Sequence, residues 1–377
     1  MPDGLMQRDT AVLPGGRKGR GAVANPPVRF EATSREAFDD GWGSLADLAD
    51  LPPLPTTLLK DGARSAMAWN NSPDLGFDRS INPYRGCEHG CIYCYARPSH
   101  AYLGHSPGLD FETKLYFKPE LPALLEKELR KPGYVPRPVA LGANTDPYQP
   151  VERTLRLTRS VLEVLERFGH PVTIVTKSAG VLRDLDILKR LSERNLVHVC
   201  LSVTTLDPDL ARRMEPRAAS PARRIAAIAE LARAGVPAGV LTAPMIPGIN
   251  DAEMERILAT AAAAGATRAG YVLLRLPLEI AGMFEAWLRA HFPDRAARVL
   301  ALVRETRAGA LYRSRFGERQ TGTGPYADML ADRFRMAVGR LGLDRTNAGG
   351  AGPLACDRFA VPGTARRREP EAQLALL

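Results

Sequence analysis

Between residues 139 and 275, apolar runs of β type alternate with stretches of helical period. The runs begin at Val139 (VALG), Val172 (VTIVT), Val197 (VHVCLSV), Val236 (VPAGVLT) and Gly270 (GYVLL), so their starts lie 33, 25, 39 and 34 residues apart. Each interval holds one strand and one crossover helix, which predicts parallel β/α units. From 151 to 168 apolar residues recur at Val151, Leu155, Leu162, Leu165 and Phe168, and Gly169 follows as a stop. Ser220 and Pro221 offer an N-cap and a first-turn proline to a helix that Gly235 closes. Asn250 with Glu253 reads as a capping box for a helix ended by Gly265. Beyond Leu274 the pattern is helical in MFEAWLRAHF, RAARVLALVRETRAG and PYADMLADRFRMAVGRLG. The Gly-rich stretch 315–324 between the last two follows a helix and not a strand, a weak match to a phosphate cradle, and reads as a plain connection first and as a loop over the barrel mouth second.

Side chains on a strand alternate between faces. In the run from 197, Val197, Val199, Leu201 and Val203 share one face, and His198, Cys200, Ser202 and Thr204 the other. From 139, Val139 and Leu141 point one way, and Ala140, Gly142, Asn144 and Asp146 the opposite way. An apolar face toward helices and a small or polar face inward suit an interior cavity. The carboxyl ends of the runs collect polar groups: Asn144-Thr145-Asp146, Thr176-Lys177, Ser202-Val203-Thr204, Thr242 and Arg275. Barrel chemistry sits at those ends.

The flanks differ. Residues 1–70 are rich in Gly, Pro, Asp and Arg and read as an irregular, disordered or wrapping arm; 346–377 read as an irregular tail. The β/α part then spans 71–280 and a helical extension 281–345. At 377 residues, with 45% hydrophobic and 25% charged residues, the composition is that of a globular protein. It excludes collagen-like and wholly disordered chains. No apolar run is long enough to cross a membrane, and no secretory signal is visible, so a cytoplasmic location is expected. The net charge is +9, but eight of the 51 basic residues are Lys and 43 are Arg, a bias that GC-rich coding produces. The clusters Arg17-Lys18-Arg20 and Arg366-Arg367-Arg368 read as solvated tails.

Cysteine chemistry changes the picture most. Of Cys87, Cys91, Cys94, Cys200 and Cys356, three fall within eight residues, as C-x3-C-x2-C. A disulfide framework would spread them, so in a reducing compartment the cluster reads as metal ligands or redox groups. Thiolates this close favour zinc or iron–sulfur. Zinc wants four ligands, and His89 or His100 is available as the fourth. A cubane cluster held by three thiolates leaves one iron open to a small molecule. Gly86 and Gly90 suit a loop wound tightly around such a group. Cys200 is expected to pack inside the barrel, and Cys356 to be inert.

With Tyr93 just before the last cysteine, Cys87, Cys91 and Cys94 resemble the signature of the radical S-adenosylmethionine (SAM) enzymes. More narrowly, INPYRGCEHGCIYCYARP, TDPYQPVE, TKS, SVTTLD, MEP and PMIPGIND resemble the group that includes spore photoproduct lyase and proteins called DNA repair photolyases. The resemblance covers roughly residues 75–280. It implies an α/β fold, a partial (β/α)6 barrel of TIM type whose first strand lies near 80–84. It implies a [4Fe-4S] cluster on Cys87, Cys91 and Cys94 that binds SAM and cleaves it to a 5′-deoxyadenosyl radical, which takes a hydrogen atom from substrate. It also implies a one-electron donor such as flavodoxin or ferredoxin, no membrane, and nucleic acid as one substrate option. By the same resemblance Asn144, Thr145 and Asp146 lie near the methionine amino group, Lys177 meets the SAM carboxylate, and Ser202 and Thr204 meet the ribose. Glu215, Arg217 and Arg223 would support the polar end of SAM. The cysteine that returns hydrogen in spore photoproduct lyase falls here on Ala143 or Asn144, which cannot do so, and the net reaction is left unassigned between lyase and transferase types. A zinc-binding nucleic-acid module and an iron–sulfur electron carrier or redox sensor are the rival functions.

Overall fold

A computed structural model of the chain describes residues 17–30, 54–345 and 353–363. Its centre is a sheet in which six parallel strands follow in chain order: β1 (Arg79–Ile81), β2 (Val139–Leu141), β3 (Val172–Thr176), β4 (Val197–Ser202), β5 (Ala238–Met245) and β6 (Arg268–Leu273). Met67–Trp69 adds an antiparallel strand beside β1, and Asp344–Arg345 a parallel one beside β6. Among the described residues no strand joins those two edges, so the barrel is partial and open.

The helices α1 (Leu121–Leu129), α2 (Leu157–Phe168), α3 (Leu185–Ser192), α4 (Pro221–Arg233) and α5 (Met254–Ala263) precede β2 to β6 in turn, and α6 (Pro325–Arg340) follows β6. The strand pattern decides which face they cover. Val197, Val199, Leu201 and Val203 lie in one hydrophobic cluster with Leu165 of α2, Leu188 of α3 and Ile228 of α4. Burying each such side chain contributes roughly 1.5–3 kcal/mol. A one-residue slip would put them all inside the barrel.

Several expectations are corrected. The helix over 151–168 is two pieces, Glu152–Leu155 and α2, broken at Arg156 (φ 52°). The Glu152 carboxylate causes the break: it accepts the Thr158 N–H that a continuous helix would use. The capping box at 250–253 does not form. Asn250 accepts the Ile246 N–H at 2.6 Å and donates to Thr204 O and Pro244 O, while Glu253 accepts from Thr205 Oγ1 and Leu206 N. Both tie the β4 loop to the β5 loop instead. The first strand ends at Ile81. Tyr84–Arg85 pairs with Lys114–Phe117, which also pairs with Thr57–Lys60, giving a three-stranded second sheet that no periodic pattern announced.

The flanks are not all solvated. Residues 17–30 run against the cysteine loop, where Ala22 and Val23 share a hydrophobic cluster with Cys91, Ile92, Tyr93 and Trp287. Arg20 is buried and donates to Glu112 O at 2.8 Å, because the main chain it crosses leaves carbonyls unpaired. Arg366-Arg367-Arg368 lies outside the described residues. Residues 353–363 close the lower end, where Phe359 stacks on Phe168 and meets Tyr134 at a tilt, and Ala355 N bonds Asn195 O. No helix of the described residues is long and apolar enough to cross a membrane.

Candidate active site

The cysteine loop leaves Tyr84–Arg85 and turns at Gly86 and Gly90, with φ +77° and +68°. It carries no regular hydrogen-bond ladder, so side chains supply the partners. Arg97, fully buried, donates from Nε to Cys91 O at 2.9 Å and from the guanidinium tip to Gly90 O, Pro107 O and Gly108 O. The remaining donor meets Glu112 at 2.6 Å, and Glu112 also accepts the Gly21 and Ala22 N–H groups. Gln149 accepts from Glu88 N at 2.9 Å and donates to Gly86 O at 3.2 Å. The loop is thus held from three sides: by the N-terminal segment, by the helical turn after it, and by the loop after β2.

The three thiols of Cys87, Cys91 and Cys94 are free and line one cavity of about 570 Å3 at the carboxyl ends of the strands. Opposite them stand Asn144, Asp146, Lys177 and Ser202. Asp146 accepts from Tyr148 N (2.9 Å), Thr176 Oγ1 (2.7 Å) and Lys177 N (2.7 Å), and lies 3.3 Å from His89 Nδ1. Burial would raise its pKa, but His89 and these hydrogen bonds hold it at about 2. With three hydrogen bonds accepted and His89 beside it, it orients neighbours rather than waiting for a ligand. Lys177 Nζ donates to Ser202 Oγ at 3.0 Å, lies 4.0 Å from Glu215 and sits over the Tyr93 ring. Glu215 lies beneath: it receives Thr204 Oγ1 at 2.5 Å, the Tyr93 hydroxyl and the Arg224 guanidinium. Burial pushes Glu215 up, but Arg224 and Lys177 pull it down to about 2.

The residues singled out from the sequence therefore divide. Asn144, Asp146, Lys177, Ser202 and Tyr93 reach the cavity wall. Thr145 points away and donates to Tyr84 O at 2.9 Å, and Thr204 is fully buried against Glu215. Arg217 sits behind the loop, paired with Glu88 at 3.1 Å. Arg223 is exposed on α4; Arg224, the next residue, makes the buried pair with Glu215. Adjacent helix positions point about 100° apart, and only packing shows which arginine turns inward. Sequence reasoning missed Arg97, Glu112 and Gln149. They lie within or near quoted segments, but their partners are main-chain atoms that leave no pattern. Of the two readings of 315–324, the less favoured one holds: Arg319 and Gln320 line the cavity, so this loop covers the mouth.

The thiols can be tested against the groups they might hold. Burial, followed by Asp146 and the other two thiols, pushes Cys87 well above the usual thiol range, and burial raises Cys91 and Cys94 too. Only a strong local positive charge would deprotonate all three, which is what a bound metal supplies. Yet among the described residues no three Cys, His, Asp or Glu side chains converge around a point that one metal ion could fill. Thiolates on one zinc ion each lie about 2.3 Å from it and crowd together. Thiolates on a multi-iron cluster sit at separate corners. The donor set fits the second.

Comparison with known proteins agrees. The radical SAM superfamily profile matches residues 81–261. An uncharacterized protein of Mycobacterium tuberculosis is 37% identical over 236 residues, 62% of this chain and 69% of its own. Another, from Methanocaldococcus jannaschii, is 29% identical over 173 residues, 46% of this chain and 62% of its own. The chain belongs to the radical SAM superfamily. That family implies SAM and an iron–sulfur cluster. Among solved structures the fold is similar to spore photoproduct lyase complexed with dinucleoside spore photoproduct: TM-score 0.55, 18% identity, 76% of this chain and 81% of that one. A variant of that lyase with bound AdoMet and the same dinucleoside matches with a TM-score of 0.54, again at 18% identity over 76% of this chain and 81% of that one.

Proposed function

We propose that the protein is a radical SAM enzyme in which Cys87, Cys91 and Cys94 hold a [4Fe-4S] cluster with one iron open to SAM. When bound and reduced, that pair supplies a 5′-deoxyadenosyl radical able to take a hydrogen atom from a substrate. The observation that carries this is three free thiols facing Lys177 and Ser202 across one cavity. Lys177 offers its ammonium to the SAM carboxylate, a point charge with donors to spare after Ser202. Ser202 takes the ribose contact. Thr204, Tyr93 and Arg224 act through Glu215, which they hold charged beneath Lys177. Asp146 fixes the Lys177 main chain. The low exposure of Cys87 and Cys91 keeps water from the reacting centre. A flavodoxin- or ferredoxin-type donor supplies the electron, the location is cytoplasmic, and nucleic acid is among the substrates the site admits.

Anaerobic reconstitution tests this. Four irons per chain and 5′-deoxyadenosine formed from SAM with dithionite, both lost in Cys91→Ala, are expected. A colourless protein carrying zinc on the same thiols would overturn the proposal. So would a cluster that leaves SAM intact, the behaviour of an electron carrier.

A further inference from the structure

Away from the thiols, the cavity is lined by Trp69, Leu75, Phe77, Tyr95 and Arg275. Arg275 lies just past β6, at the strand end opposite β2. Its Nε is buried and has no hydrogen-bond partner among the described residues. Among the described residues the guanidinium meets only a ring, Tyr95, 5.2 Å from its centroid, and Tyr95 in turn bonds Ala143 O across the cavity. The charges around Arg275 do not compensate it. Arg307 behind it is another cation; its two tip nitrogens donate to the Leu273, Leu274 and Glu318 carbonyls, and its buried Nε has no partner among the described residues either. Burial, and then Arg275 itself, lowers the Arg307 pKa to about 10. The carboxylates of the covering segments are engaged elsewhere: Asp74 by Arg319 at 2.5 Å, Glu279 by Arg29 at 2.8 Å, Glu318 by Arg315 at 2.9 Å. A cation without a counter-charge on a cavity wall, half withdrawn from water, is costly unless an anion joins it.

The rest of this half is aromatic. Trp69 is 61% exposed although it borders the cavity, and Arg79 stacks on its ring at 4.5 Å, which fixes it as a platform. Phe77 and Leu75 extend the platform. Among the described residues the only carboxylate on the lining is Asp146, on the far side and accepting three hydrogen bonds. The chemistry that fits is a flat ring carrying a negative charge, and a cation beside stacking rings is how single nucleotide units are held.

We propose that this outer half is a subsite for a nucleotide unit, with Arg275 taking the phosphate and Trp69 and Phe77 the base. It rests on the radical SAM reading of the inner half. A guanidinium fork matches phosphate oxygens in pairs, so a neutral nucleoside should lose much of the affinity.

The test is binding to the full-length, anaerobically reconstituted protein saturated with SAM, read by calorimetry. The probes are the four deoxynucleoside 5′-monophosphates, the matching nucleosides, and trinucleotides without terminal phosphates. At least one phosphate-bearing probe is expected to bind about tenfold or more tighter than its nucleoside. Arg275→Gln should erase that preference and Arg275→Lys should keep part of it, so a misfolded Gln variant does not decide the matter. Trp69→Ala should weaken nucleosides and nucleotides alike. Preference for monophosphates identifies free nucleotides as the source, and preference for trinucleotides identifies a strand. The proposal falls if no probe shows phosphate preference, if the preference survives both Arg275 variants, or if phenylpyruvate binds more tightly than every nucleotide probe. Formation of 5′-deoxyadenosine by the wild-type protein is scored separately: its absence removes the radical reading, and its presence without phosphate preference removes only this subsite.

Discussion

On and beneath the inner wall of the cavity, the described charged side chains stand beside opposite charges. Asp146 accepts three hydrogen bonds and lies beside His89, and Glu215 takes two hydroxyls and a buried guanidinium. On the outer wall Arg275 has, among the described residues, a ring and no counter-charge. The difference teaches how to separate support from recognition. A satisfied buried network is rigid and orients other groups, while a buried polar atom left unpaired is held ready for something that arrives. The inner wall also has a backing that the outer lacks, since Arg97 and Glu112 clamp the cysteine loop from behind.

That backing is where the largest effect is expected. Glu112→Ala would strand Arg97 at zero exposure and free the Gly21 and Ala22 N–H groups, costing about 3–5 kcal/mol in urea unfolding. An Arg97→Met, Glu112→Leu pair should recover part of it. If Glu112→Ala proves neutral, the inner wall is not held from behind. Below the cavity, burial lowers both His170 and His198 to about 4, with minor help from Arg79 and Arg268 respectively. Each protonates near 6.5 once unfolded. Stability is therefore full above pH 6.5, declines as pH falls, and levels off below about 4, by at most about 3 kcal/mol per residue. His198→Asn should flatten that limb of the stability–pH curve.

On the inner wall itself, Lys177→Met should weaken SAM binding about 10- to 100-fold by equilibrium dialysis, the range for a hydrogen bond to a charged group. Arg223→Ala should change it less than about twofold, since that side chain is exposed. Equal effects would erase the distinction between wall and surface. The smallest effect concerns the open edge. Asp74, just before β1, and Arg319, beyond β6, form a two-point ion pair across the mouth. Asp74→Asn should cost about 1 kcal/mol in thermal unfolding and leave iron content unchanged, because this contact joins loops and not the cysteine loop.

The β/α alternation was legible because strand period and crossover length are local, and Val139, Val172 and Val197 fall in one register row. The thiols were legible through their spacing. The second sheet was not, since Tyr84–Arg85 is two residues long and pairs with a segment some thirty residues on. Nor was the choice between cover and plain connection for 315–324, which depends on Arg319 meeting Asp74 245 residues away.

By itself the sequence determined the parallel strands, the face each presents, and the three thiols with an aromatic among them. These follow from periodicity and spacing, which act between residues a few positions apart. The tertiary structure alone decided that Arg224 rather than Arg223 reaches Glu215, that Thr145 and Thr204 turn away from the cavity, and that Arg275 stands without a counter-charge among the described residues. Those outcomes depend on which donors and acceptors are left over once the chain has closed on itself. Only the packed fold can carry out that accounting, because burial makes an unmet polar group costly and water in the unfolded chain does not.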